Sequence, residues 1–370
     1  MKRLALIFLY VCLSTLILFG STTQASGTSG ADSLTYFDAV RFPVIGKIYP
    51  DSLPFFSRIP YFLKPTTREA VWNLGQNSAG IAVRSDSPVI AVKWENTFNN
   101  SMKHMAPVGI KGLDLYCFID GKWRFMNSAQ PSGKTNQWQI ISGMDATERE
   151  YMLYLPLYDG IHSLQIGVAA PSHIGQPSLP YPDTRKPIVF YGSSITQGAC
   201  ASRPGMAATN LIGRKLNVET INLGFSGNAF IDYEVAEMMA HVDASAYVLD
   251  YVPNASPEQI LEKTEKFVRI LREKHPDVPL IFVEDPIFPH SKFDLRMAKE
   301  IKDKNDAMNQ AFSSLKKQGL KKIYLVKGRS LTPANGESTV DGIHFTDCGF
   351  EQYVDAILPI LKKAINHKKK

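Results

Sequence analysis

From residue 188 onward the chain alternates five short strand-like runs with amphipathic stretches, and this rhythm constrains the fold more than any other feature. The runs are residues 188–191, 219–223, 246–251, 280–284 and 323–326. Helical patterns occupy 207–216, 233–241, Pro257–Lys274, 299–317 and 350–365, the last striped by Tyr353, Ile357 and Leu361. Short strands without polar alternation are buried on both faces, and strands joined through helices run parallel. The pattern predicts a five-stranded parallel sheet with helices on both sides. In such sheets, chemistry collects in the loops after the carboxyl ends of the strands.

Residues 31–183 obey a different rule. Pro88-Val89-Ile90-Ala91-Val92-Lys93-Trp94 has β-branched and aromatic residues at strand spacing. Asp120-Gly121 separates two further runs, 115–119 and 122–126, and predicts a two-residue hairpin that needs positive φ at both centres. The same device at Asp159-Gly160, between 151–155 and 162–166, predicts a second hairpin. Several hairpins and no long amphipathic helix imply an antiparallel, jelly-roll-like β-sandwich. Trp72, Trp94, Trp123 and Trp138 all fall in this half, as core residues or as a carbohydrate-stacking platform. The proline-rich stretch 175–183 reads as the linker.

Two motifs carry the candidate chemistry. Gly192-Ser193-Ser194-Ile195-Thr196-Gln197-Gly198 directly follows the first parallel strand, and Asp341-Gly342-Ile343-His344 lies near the C-terminus. A serine delivered at a strand end needs a base to take its proton, and a histidine three residues after an aspartate can supply one. Ser193 and Ser194 are both candidate nucleophiles on these grounds.

Four blocks in sequence order resemble those of the SGNH (GDSL-type) esterase and lipase superfamily. They are the serine motif, Asn222-Leu223-Gly224-Phe225-Ser226-Gly227-Asn228, Asp250-Tyr251-Val252-Pro253-Asn254, and the Asp341–His344 motif. The first-half run Gly112-Leu113-Asp114-Leu115-Tyr116 resembles a motif of the N-terminal domain found in one branch, many of whose members are bacterial and exported. The resemblance implies a three-layer αβα, flavodoxin-like catalytic domain over 186–366, preceded by the β-sandwich domain at 31–183. It assigns the nucleophile to Ser194, the base to His344 and its orienting acid to Asp341. The backbone N–H groups of Ser194 and Gly227 and the side-chain amide of Asn254 would serve the oxyanion. Two departures stand out. Ser193 replaces the usual Asp and becomes a hydrogen-bonding neighbour, while Val252-Pro253-Asn254-Ala255 replaces Gly-x-Asn-Asp. Arg203, Tyr251 and Glu284, with Ser193, are secondary candidates for contact with substrate, and Asp285 stands beside Glu284 as a pocket-lining candidate.

The remaining features bound the setting. Met1-Lys2-Arg3 followed by an apolar run to Phe19 and the small residues near Ala25 reads as a signal segment over 1–25, with a retained anchor helix as the rival. Cleavage would make the protein secreted or periplasmic, with no stable membrane span. The formal charge is +6, of which Lys2 and Arg3 supply two, and no basic face with interleaved aromatics marks a nucleic-acid partner. Cys200 and Cys348 flank the two catalytic motifs and could pair, the alternative being buried thiols. No short-spaced ligand set predicts a metal, and no cofactor is expected. The expected activity is hydrolysis of short-chain carboxylic esters through an acyl-enzyme, with deacetylation of a carbohydrate as the substrate class that the resemblance implies. The alternatives are a lipase or thioesterase on longer chains, and a carbohydrate-binding protein with a decayed esterase domain. The substrate partner is a small-molecule or oligosaccharide or polysaccharide ester; oligomeric state is left open.

Overall fold

A computed structural model describes residues 33–178, 186–333 and 335–366. The signal reading over 1–25, and most of the proline-rich linker, lie outside these residues.

In the first half, strands β1 (Leu34–Asp38), β2 (Val44–Ile45), β3 (Gly80–Ser85), β4 (Ile90–Asn96) and β5 (Leu113–Ile119) precede β6 (Lys122–Ala129), β7 (Thr135–Ile141), β8 (Arg149–Tyr154), β9 (Ile161–Ala169) and β10 (Ile174–Gly175). One sheet has the order β1-β9-β4-β7, the other β10-β3-β8-β5-β6 with β2 beside β3, and every pairing is antiparallel. Inward side chains of both sheets, among them Val83, Val92, Trp94, Leu115, Leu153 and Ile166, share one apolar layer. Period-two alternation produces that layer, because successive side chains point to opposite faces. The result is the antiparallel sandwich.

Asp120-Gly121 makes the expected turn, with φ of 53° and 71° and Ile119 facing Lys122. The second expected hairpin does not form. β8 pairs with β3 and β5, whereas β9 pairs with β1 and β4, so Asp159-Gly160 carries the chain from one sheet to the other. The Asp159 side chain is fully buried and accepts the N–H groups of Phe98 at 3.0 Å and Asn100 at 2.6 Å. Its carboxylate fixes a neighbouring loop, a duty that the sequence pattern of a turn does not distinguish.

In the second half, β11 (Ile188–Gly192), β12 (Thr220–Gly224), β13 (Ala246–Asp250), β14 (Leu280–Val283) and β15 (Ile323–Val326) form a parallel sheet in the order β12-β11-β13-β14-β15. The helices are α1 (Glu69–Asn73) and α2 (Pro107–Lys111) in the first half, then α3 (Ser194–Gln197), α4 (Ala208–Leu216), α5 (Tyr233–Ala240), α6 (Pro257–Lys274), α7 (Leu295–Lys317) and α8 (Asp347–Asn366). α7 begins earlier than its apolar pattern suggests because Asp294 caps it, accepting the N–H groups of Arg296 and Met297. α5, α6 and α7 cover one face of the sheet and α4 and α8 the other. β11 shows why its run lacks alternation: Val189 and Tyr191 enter one core, Ile188 and Phe190 the other.

The two halves share more than a linker. Ile59 and Val71 from the first half are buried in the core formed by α5, α6 and α7, and Trp72 packs against it. The Arg58 guanidinium is fully buried and donates to the carbonyls of Asn222 at 2.8 Å and Gly224 at 3.0 Å. Asp114 of the Gly-x-Asp-Leu-Tyr run is also fully buried. It accepts from Arg203 Nη1 at 2.9 Å, the Gly205 N–H at 2.8 Å and Ser128 Oγ at 2.7 Å. The Tyr116 hydroxyl lies 2.6 Å from the same Arg203 nitrogen.

Candidate active site

The sheet order changes direction around β11, with β12 on one side and β13 on the other, and open α/β sheets bind ligands at such a switch point. Ser194 follows β11, Gly227 follows β12 and Asn254 follows β13. The geometry brings together the residues expected from sequence to act as a triad. His344 Nε2 lies 3.0 Å from Ser194 Oγ, and His344 Nδ1 lies 2.7 Å from Asp341 Oδ2.

Local structure explains each position. Ser193 follows the strand in extended backbone and caps α3, its Oγ accepting the Ile195 N–H at 3.2 Å. That leaves Ser194 as the first residue of α3, where its own N–H has no partner inside the helix. Ser193 is fully buried and Ser194 slightly exposed, so the first is a cap and the second faces outward. Thr196, one turn in, donates to Asp250 Oδ2 at 2.8 Å, and the Tyr353 hydroxyl reaches the same oxygen at 2.7 Å. The late motif is a tight turn in which Asp341 Oδ1 accepts the N–H groups of Ile343 at 3.1 Å and His344 at 2.8 Å. Burial works to raise the Asp341 carboxyl, but the N–H and imidazole of His344 and the N–H of Ile343 outweigh it and hold it at about 2. It is therefore a carboxylate, able to accept a proton-bearing Nδ1 and leave Nε2 as the acceptor facing Ser194.

The loop carrying Gly227 is held from several sides. Ser226 N–H donates to Gln197 Oε1 at 2.9 Å, and Ala229 N–H donates to Asn254 Oδ1 at 3.2 Å. With its oxygen so engaged, Asn254 has Nδ2 left to donate. Gly227 has a φ of 66°, and a side chain there would enter open space. The glycine is thus explained by its left-handed backbone. From the first half, Arg68 binds Asn228 Oδ1 at 2.8 Å, the Asn228 carbonyl at 2.7 Å and Asp232 at 3.1 Å. His104, also from the first half, stacks on His344 with ring centroids 5.5 Å apart and planes at 26°. Sequence reasoning missed Arg58, Arg68, Gln197 and His104. Proximity in space marks Arg58, Arg68 and His104, which belong to no spaced motif, whereas Gln197 lies inside the serine motif and was given no role of its own.

The secondary candidates have other partners. Arg203 is engaged by Asp114 and Tyr116 and lies 3.7 Å over the Phe125 ring, tying the halves together. Tyr251 is fully buried with its hydroxyl 2.9 Å from Thr264 Oγ1. Glu284 accepts from Asn309 and Lys327 and from the Gly328 N–H, all within 2.9 Å. Asp285 is buried beneath Asn305 and Lys304, where its N–H meets Asn305 Oδ1 at 2.7 Å. Carboxylates and arginines at strand ends serve packing as readily as substrate, and sequence does not separate the two. Cys117, Cys200 and Cys348 are unpaired thiols, the first two buried and the third exposed. Burial first, then the charge of Asp341, pushes the Cys200 thiol up to about 12. Among the described residues, no helix is long and apolar enough to cross a membrane.

Comparison with known proteins agrees with this geometry. Residues 185–362 match the GDSL-like lipase/acylhydrolase family, and residues 34–174 match the GxDLY domain found at the N-terminus of SGNH-hydrolase-type esterases. A crystal structure described as that of a GDSL-like lipase from Bacteroides ovatus is 38% identical, covers 90% of this chain and 98% of its own, and superposes with a TM-score of 0.86. The salicylyl-acyltransferase SsfX3 from a tetracycline biosynthetic pathway is 16% identical over 87% of this chain and 95% of its own, with a TM-score of 0.71. A family two carbohydrate esterase from Clostridium thermocellum, solved with cellohexaose, is 12% identical over 78% of this chain and 92% of its own, with a TM-score of 0.57. The last two share the fold. None of the curated proteins compared with the chain matches it.

Proposed function

The chain belongs to the GDSL-like lipase/acylhydrolase family of carboxylic ester hydrolases, and from that premise we propose that it cleaves short-chain esters through an acyl-enzyme on Ser194. The observation that carries the reading is the relay from Ser194 Oγ through His344 to Asp341, at 3.0 and 2.7 Å. Ser194 Oγ attacks the carbonyl carbon while His344 Nε2 takes its proton. Asp341 stabilises the imidazolium. The carbonyl electron pair moves onto oxygen, where the N–H groups of Ser194 and Gly227 and the amide of Asn254 donate to it. Collapse expels the alcohol, which leaves with the proton from His344. Water then repeats the sequence on the acyl-serine and releases the acid.

Acetylated carbohydrate is the proposed substrate class. It is supported by the family and by the fold shared with carbohydrate esterases, as in the Clostridium thermocellum structure. Export is part of the same proposal and rests on the basic start and apolar run within the first 25 residues. The test is hydrolysis of p-nitrophenyl acetate, butyrate and octanoate by the protein and its Ser194→Ala variant. Rates falling with chain length and lost in the variant are expected, as is loss of fluorophosphonate labelling. Preference for octanoate would replace the short-acyl reading with a lipase. Labelling that survives Ser194→Ala would refute the assignment of the nucleophile.

A further inference from the structure

One cluster at the mouth of the site joins two residues of the relay, Asp341 and His344, to two that ester cleavage does not use, His104 and Cys200. Ligand-capable atoms of His104, Cys200, Asp341 and His344 all lie within 4.8 Å of one another. They come from three separate stretches: a first-half loop, the loop after α3, and the late motif. The first two are locked together. Met105 and Ile110, which follow His104, pack with Ala199 in one buried cluster, and Cys200 Sγ lies 3.1 Å from the His104 carbonyl.

We propose that these four side chains form an inhibitory zinc site laid over the catalytic histidine. Two imidazoles, a thiolate and a carboxylate are the donor set zinc prefers, whereas magnesium and calcium select oxygen. With bonds of about 2.0–2.3 Å, tetrahedral zinc separates its ligands by roughly 3.5 Å. The widest pair here therefore closes by little more than an ångström. Binding releases the Cys200 thiol proton to solvent, since a coordinating thiol is deprotonated by the metal. The two imidazoles bind as neutral bases, and no electron changes hands. The inhibition does not depend on which His344 nitrogen is taken. At Nδ1 the metal displaces the hydrogen bond to Asp341, and at Nε2 it occupies the lone pair that receives the serine proton. His104 is the distinctive member, because it belongs to the first half and takes no part in the relay.

The inhibitory effect rests on the ester-hydrolase reading, whereas occupancy of the site does not, so the test reads both. Cobalt serves as the spectroscopic probe, because a thiolate ligand gives a near-ultraviolet charge-transfer band. The metal-free protein should bind one cobalt per chain with that band, and Cys200→Ser should lose it. Zinc should suppress p-nitrophenyl acetate turnover, and a chelator should restore it. His104→Gln and Cys200→Ser, each first shown to be folded by circular dichroism, should need at least about tenfold more zinc for half-inhibition relative to their own zinc-free rates. A cobalt band without ester turnover would uphold the metal site and sink only the esterase reading. No band, or equal zinc sensitivity in the protein and both variants, would overturn the site.

Discussion

At the scale of the residue, the clearest division of labour is between Ser193 and Ser194. One sequence position separates a fully buried helix cap from the side chain that faces His344. Spacing alone left both open, since either hydroxyl stands at a strand end, and the family pattern chose between them. Gly227 and Asn254 were similarly legible as a glycine and an amide after successive strands. Arg203, Tyr251 and Glu284 were not, because a polar side chain at the same sheet edge reads identically whether its partner is substrate or protein. Asn254 supplies a direct test. Replacing it by Ala removes the proposed oxyanion donor, so kcat should fall by about 10²–10³ with little change in KM. A rise in KM with kcat unchanged would mean that Asn254 binds ground-state ester without serving the oxyanion.

At the scale of the element, the sequence spoke well for strands and poorly for what joins them. The five parallel runs were readable because two-sided burial makes most of them apolar, although Thr220 and Asn222 stand inside β12. The Asp159-Gly160 connection misled because an Asp-Gly pair is compatible with a turn or a crossover, and the choice depends on strands far away in sequence. The Gly112–Tyr116 run shows a motif whose physics lies in contact between halves. Asp114, fully buried, pairs with Arg203 and takes the Gly205 N–H. Asp114→Ala strips the Gly205 amide of its acceptor and the Arg203 guanidinium of its counter-charge, and should cost about 3–5 kcal/mol. Asp114→Asn keeps an acceptor and should cost less. Chemical denaturation of the full chain checks both, and an Ala variant as stable as the parent would refute the contact's structural role.

At the scale of the whole molecule, two buried acids contribute to the response to pH. Burial pushes the Asp250 carboxyl up to about 7, against the hydrogen bonds of Tyr353 and Thr196, from an ordinary value of 3.8. Burial also pushes Asp285 up to about 7, with Lys304 opposing and Asp250 and Glu300 adding to it. The folded chain thus keeps protons that the unfolded chain gives up. Their contribution is complete below the unfolded value near 3.8 and is lost as pH rises through about 7. For Asp250 the full effect is on the order of 4 kcal/mol. Melting temperature should therefore decline from about pH 4 to about pH 7. Asp250→Asn, which imitates the protonated acid, should flatten that decline. An unaltered slope in the variant would show that Asp250 is not its source.

The burial of Ile59, Val71 and Arg58 against the second half also bears on how the chain is made. A ribosome releases the first half before β12 exists, so Arg58 emerges without the two carbonyls that later surround it. The two aliphatic side chains likewise wait for a core whose burial stabilises each by about 1.5–3 kcal/mol. During that interval Ile59 and Val71 lack the core that covers them, and Arg58 has only the Leu74 carbonyl of its own half. Synthesis order and catalytic assembly are thereby linked, since Arg68, which steadies the Gly227 loop, arrives before the loop it holds.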